Sequence, residues 1–110
     1  MKKLDSNKLT PEQKQFFADH LAYLATVGPD NMPQVGPKQS MKVVDDSHLA
    51  YIEKTQAHAF DNINNGSKVA VVVADKPSHT NVRVIGTAEV HDKDENGWYP
   101  VTITIETIEA

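Results

Sequence analysis

Two short segments group side chains that could hold a ligand, and the first of them suits an anion. The first is Glu53-Lys54-Thr55-Gln56, followed by His58 and Asn62. Ala57, Phe60 and Ile63 recur every three residues behind it and Gly66 closes the run, so the spacing predicts a short helix from Thr55 to Asn65. A helix start leaves backbone N–H groups free at its positive dipole end, and Lys54 adds a point charge beside them. His58 lies about one turn beyond Thr55, so both could face the same anion, and protonation of His58 would strengthen its hold. Taken alone, His58 reads equally as a solvated surface histidine, Lys54 as a solvated lysine at a strand end, and Asn62 as a helix-surface polar residue with an indirect role at best.

The second segment is Pro37-Lys38-Gln39-Ser40-Met41, inside an extended run from Gln34 to Val44. Gly36 and Pro37 within a strand belong at a bulge or an edge, where the backbone bends or is approached closely. By itself this is either an ordinary β-bulge or a strand with a ligand lying against it. Trp98, the single tryptophan, follows Asn96-Gly97 in a charged loop, and an indole there calls for a core pocket or a partner surface. Other chemistry is poorly represented. The histidines at positions 20, 48, 58, 79 and 91 show no metal-ligand spacing, and with no cysteine the chain has no thiolate site, nucleophile or disulfide. There is no phosphate-cradling P-loop, no GxGxxG and no Gly-x-Ser-x-Gly elbow.

The elements that must carry these residues are mostly strands. Thr10-Pro11-Glu12-Gln13 joins an N-cap hydroxyl, a proline at the first helical position and a glutamine three residues after the cap, which predicts a helix reaching about Asp19. Strands are expected from about Leu21 to Val27, Gln34 to Val44, His48 to Glu53, Val69 to Ala74, Asn81 to His91 and Val101 to Ile105, with turns at Gly28-Pro29-Asp30-Asn31 and Asp45-Asp46-Ser47. Six strands and two short helices make a mainly β protein. So few helical residues cannot cover both faces of a sheet, and closing it into a barrel buries one face and removes the open edges.

Its 110 residues are sized for one domain, 1–110. A net charge of −4 without a basic run excludes the electrostatic footprint of nucleic-acid or anionic-membrane binding. Met1-Lys2-Lys3 is followed by no apolar stretch, and no window approaches the ~20 apolar residues of a span, so a cytoplasmic location is expected.

The order of motifs is more specific than any one of them. Leu24-Ala25-Thr26 runs into the Gly-Pro-Asp-Asn turn, and Pro33-Gln34-Val35 and Pro37-Lys38-Gln39-Ser40 follow. Then come Thr55-x-x-His58-x-x-x-Asn62-Ile63, Val69-Ala70-Val71-Val72 and Arg83-Val84-Ile85-Gly86-Thr87-Ala88-Glu89-Val90. Over Leu21 to His91 this resembles the pyridoxamine 5'-phosphate oxidase-like family of FMN-binding split barrels, above all its short bacterial members. The resemblance implies a six-stranded split β-barrel with two short helices, working as a homodimer with flavin mononucleotide (FMN) at the subunit interface. It places Pro37, Lys38, Gln39, Ser40 and Met41 along the isoalloxazine ring. It places Glu53, Lys54, Thr55, Gln56, His58 and, indirectly, Asn62 at the phosphate end. Trp98 would stand beside the ring of the neighbouring subunit or serve core or interface packing.

Two departures stand out. The family usually has Lys or Arg where this chain has His58, and many relatives insert a helix where Asp92 to Pro100 is a plain connection. The short members lack the segment that shapes the pyridoxamine phosphate pocket, so flavin binding is implied before that substrate. The expected activity is that of an FMN-dependent oxidoreductase, fed by a nicotinamide donor, in which the flavin carries the electrons and no side chain need act as acid or base. The alternative is a non-enzymatic electron-transfer or flavin-carrier protein with a redox partner protein. A third reading keeps the fold and puts haem or a deazaflavin in the same cleft.

Overall fold

The fold was analysed in a computed structural model describing residues 1–110. The first helix, α1 (Pro11–Asp19), begins where its sequence predicts. Thr10 Oγ1 accepts from the Gln13 N–H at 3.2 Å, and Gln13 Oε1 accepts from the Thr10 N–H at 2.9 Å, so two otherwise orphaned donors are satisfied reciprocally. Its apolar face sends Phe17 into the core. The remaining elements are β1 (Ala22–Val27), β2 (Pro33–Lys38), β3 (Lys42–Asp45), β4 (His48–Glu53), α2 (His58–Asn64), β5 (Lys68–Asp75), β6 (Thr80–Val90) and β7 (Tyr99–Glu109).

All seven strands form one antiparallel sheet in the order β2-β1-β5-β6-β7-β4-β3. β2 and β3 are the two edges of that sheet, yet only Gln39, Ser40 and Met41 join them. A three-residue link can join the two edge strands only if the sheet curls until the end of β2 comes near the start of β3, and the edges themselves stay unpaired, which makes this mainly β fold a barrel with a split. The strand count is therefore seven rather than the expected six. The run from Gln34 to Val44 breaks at the barrel corner, where the Met41 N–H closes a turn onto the Lys38 carbonyl at 3.1 Å.

Period-two alternation sorts the side chains. Ala22, Leu24 and Thr26 of β1, Leu49, Tyr51 and Glu53 of β4, Val69, Val71 and Val73 of β5, and Val101, Ile103 and Ile105 of β7 are all buried. Of the bulge or edge expected at Gly36-Pro37, the structure has the edge. β2 follows β1 in unbroken register from Pro33 to Lys38, and its two prolines are tolerated because it is an edge strand. Irregular register occurs instead between Val43 and Asp45 and between Ile85 and Gly86.

The outer face of the β1–β2 hairpin is apolar. Tyr23, Ala25 and Val27 lie opposite Pro37, Val35 and Pro33, and Val35, Val27 and Tyr23 are 68%, 47% and 42% exposed. No helix is long and apolar enough to cross a membrane.

The second helix starts later than its sequence predicts. Ala57 is its N-cap, without a side-chain cap, so Thr55 lies outside the helix. The reason is local competition, since the Thr55 N–H and hydroxyl both bond the Glu53 carboxylate and hold the chain in a turn. Gln56 then takes a left-handed φ of 49°.

Candidate functional site

Because Pro33, Val35 and Pro37 face outward, the alternate residues Gln34, Gly36 and Lys38 of β2 face the other way, towards α2 and the end of β4. Three hollows line up along this strand. One of about 290 Å³ lies between Pro37–Ser40 and Ile52–Thr55. The next, about 190 Å³, lies between Gln34–Lys38 and Ala57–Ala59. The third, about 550 Å³, runs from the Gly28–Asp30 turn to Asn65. Lys38 lines the first two, and Gln34 and His58 line the second and third, so the hollows form one groove.

The fold thus brings together residues that the chain separates. Pro37, Lys38, Gln39 and Ser40 meet Glu53, Lys54 and Thr55 in the first hollow, and His58 stands where the second passes into the third. The seam between the β2–β3 corner and the end of β4 is bridged by Ser40, whose Oγ accepts from the Ile52 N–H at 3.0 Å. It is also bridged by Lys38, whose Nζ donates to both oxygens of Glu53 at 3.2 and 3.4 Å. Glu53 is only 2% exposed. Its Oε2 also accepts from the Thr55 N–H at 3.3 Å and the Thr55 hydroxyl at 3.1 Å. A buried carboxylate persists only when so supplied with donors.

Other expected residues are placed differently. Met41 packs against the core, and Gln56 is exposed on the connecting turn and lines none of the three hollows. Asn62 is not on the helix surface. It is buried, its Nδ2 donates to Thr26 Oγ1 at 3.0 Å, and it pins α2 to β1 while lining the third hollow. Trp98 stacks on its own chain's Lys54, with Nζ 4.3 Å from the ring centroid, and stays partly exposed.

Sequence reasoning missed Gln34 and Tyr51. Gln34 carried a usable signal, a polar residue on the inward side of an apolar strand. Tyr51 carried none, because its setting depends on the Lys38 side chain of β2 reaching over its ring. Lys38 Nζ lies 5.3 Å from the Tyr51 ring centroid, and the buried Tyr51 hydroxyl has no hydrogen-bond partner.

Burial, with the negative charge of Glu53 adding to it, pushes the Tyr51 phenol far above its usual range. A phenol raised in the folded state holds its stabilising contribution below its ordinary value of about 10 and loses it as the pH rises beyond that value. The Tyr51 share of the tyrosinate absorption is therefore expected to appear only with alkaline unfolding, and Tyr51→Phe to remove that share at little cost in stability. A Tyr51 share that titrates while the fold persists would contradict this.

Comparison with known proteins agrees with this architecture. The family model described as pyridoxamine 5'-phosphate oxidase matches residues 9–107. A Lactobacillus delbrueckii protein of known structure, assigned provisionally as a pyridoxamine 5'-phosphate oxidase, is 52% identical, with a TM-score of 0.95 over 100% of both chains. HupZ of Group A Streptococcus is 27% identical, with a TM-score of 0.84 over 91% of each chain. HutZ, the haem storage protein of Vibrio cholerae, shares the fold at 13% identity, with a TM-score of 0.72 over 94% of each chain. No curated protein sequence matches the chain. With the model spanning nearly the whole sequence and the curled seven-stranded sheet in place, the chain belongs to the pyridoxamine 5'-phosphate oxidase family.

Proposed function

We propose that this protein binds FMN in the groove along β2 and works as a cytoplasmic FMN-dependent oxidoreductase of unassigned substrate. The observation that carries this reading is the meeting of Pro37–Ser40 with Glu53–Thr55 across the seam. It brings cationic and hydroxyl donors (Lys38, Lys54, Thr55) to an edge strand whose outer backbone groups are free. FMN would supply the electron chemistry. The chain's own residues bind and orient it, the ring along the backbone of β2 and the phosphate among the donors at the end of β4.

A homodimer belongs to this reading. β2 sends alternate side chains into the groove (Gln34, Gly36, Lys38) and onto the exposed apolar face (Pro33, Val35, Pro37), so a partner seated on that face would stand beside the ligand. Contiguous exposed apolar residues of this kind mark an interaction surface. The remaining exposure of Trp98 is then available for a partner subunit's flavin to cover.

The visible spectrum of the purified protein, before and after addition of FMN and gel filtration, tests both halves. Two-banded flavin absorption, retained at about one per subunit on a dimer-sized peak, is the expected result. A colourless monomer that ignores FMN would refute it. Steady turnover with NADH or NADPH would mark an enzyme, and reduction only through another redox protein a carrier. A Soret band would turn attention to haem, for which His58 is the histidine on the groove wall.

A further inference from the structure

The third hollow differs in charge from the other two. Asp30 and Asp61 stand on its walls, no lysine or arginine lines it, and His58, where it meets the second hollow, is its one titratable base. Neither carboxylate is paired, since the six ion pairs of the chain engage other acids. Asn62 supplies an independent observation. Only 6% exposed, it has its Nδ2 occupied by Thr26 Oγ1, whereas its Oδ1 accepts from no group of the chain and faces the hollow beside Gly28. Gly28 makes the room. A Cβ at that position would lie 2.8 Å from Asp30 Oδ1 and 3.3 Å from Asn62 Oδ1, so the missing side chain leaves a cradle between two acceptor oxygens.

We propose that this cradle is a binding site for an organic cation that carries N–H donors, an ammonium or guanidinium group. Such a group offers donors and no acceptor, which suits the Asn62 Oδ1, the Asp30 carboxylate and the Asp61 carboxylate of the same hollow. A buried amide oxygen left without a donor costs free energy, and a ligand N–H removes that cost. A divalent metal is a poor fit, because nowhere in the chain do three His, Asp or Glu side chains converge to hold one. Pro29 and Met32, also on the walls, give the carbon chain of such a cation an apolar surface to lie on. The site needs nothing of the Pro37–Ser40 and Glu53–Thr55 segments, so it stands whether or not the rest of the groove takes a flavin.

Propylammonium and methylguanidinium are titrated into isotope-labelled protein at constant ionic strength, and amide shifts are followed by NMR. Tetramethylammonium, which has the charge but no N–H, is the comparator. The expected result is saturable shifts of the Gly28 N–H and the Asn62 side-chain amide with propylammonium or methylguanidinium, the tighter of the two naming the group. Tetramethylammonium should bind about tenfold more weakly or not at all, the loss of a hydrogen bond to a charged donor. Shifts that never saturate, or tetramethylammonium binding as well as the N–H cations, overturn the proposal.

Three variants locate the site, with thermal melting to confirm folding. Asp30→Asn removes the charge yet keeps an oxygen for the Met32 N–H, which Asp30 Oδ1 accepts at 3.1 Å, and Asp61→Asn is a like change on the exposed side of α2. Both carboxylates are exposed, so each change should weaken binding by about threefold. Gly28→Ala, at a position whose φ is ordinary, sets a methyl group between the two oxygens and should abolish binding. If Gly28→Ala does not fold, the two aspartate variants decide. Unchanged affinity in folded Gly28→Ala, or in both aspartate variants, overturns the proposal.

Discussion

Gly86→Ala is expected to leave little or no folded protein. Gly86 of β6 sits at the register shift against β7, and a Cβ built there would lie 1.9 Å from the Thr104 carbonyl oxygen and 2.9 Å from its carbon. These are backbone atoms in the middle of a paired strand, so no side chain can swing away, and β6 and β7 must separate. Ordinary overpacking costs about 1–3 kcal/mol, and a clash with backbone should cost about 3 kcal/mol or more, a large part of the ~5–15 kcal/mol that holds a domain of this size together. If any folded protein survives, its melting temperature should fall by about 15 °C or more. Gly36→Ala is the control. Nothing lies within 4 Å of that Cβ position and its φ is ordinary, so the change should stay within about 0.5 kcal/mol. Comparable stability of the two variants would mean that the β6–β7 pairing is not as close as described.

Lys38→Met should destabilise the protein by about 2–3 kcal/mol at neutral pH, somewhat below the ~3–5 kcal/mol of a fully buried pair because the Lys38 side chain keeps 18% exposure. The cost comes from stranding Glu53, which would keep only Thr55 as a donor in a place that water scarcely reaches. Joining Lys38→Met to Glu53→Gln should recover most of the loss, the mark of a coupled pair in a double-mutant cycle. Lys38→Met should also weaken FMN binding by at least tenfold, about 1.4 kcal/mol, through loss of a charge-assisted contact to the ring that lies along β2. Denaturant melts and flavin titration measure both effects. A double variant no more stable than Lys38→Met alone would show that Glu53 does not depend on Lys38.

Much of the fold was legible because its signals are local. The Thr10–Gln13 capping box, the Gly28–Asn31 turn and the alternating Val101–Ile105 run each state their structure within a few residues, and each appears as read. The motif order pointed to the right family. The start of α2 misled for an equally local reason, since Thr55 spends its donors on Glu53 rather than on a helix. The break of Gln34–Val44 into two strands had no local signal, because it follows from the need to turn a barrel corner.

The site itself belongs to a different scale. Sequence by itself singled out two segments whose residues could hold a ligand. That Lys38 reaches Glu53, 15 residues on, and that Asn62 reaches Thr26 across 36, was decided only by the tertiary structure. Those contacts depend on the curl of a seven-stranded sheet and on the helix packed against it, a consequence of strand order that no period or cap can express. Spacing along a chain reports neighbours within an element, whereas whether a cation faces a ligand or a buried carboxylate is settled by what the fold sets opposite it.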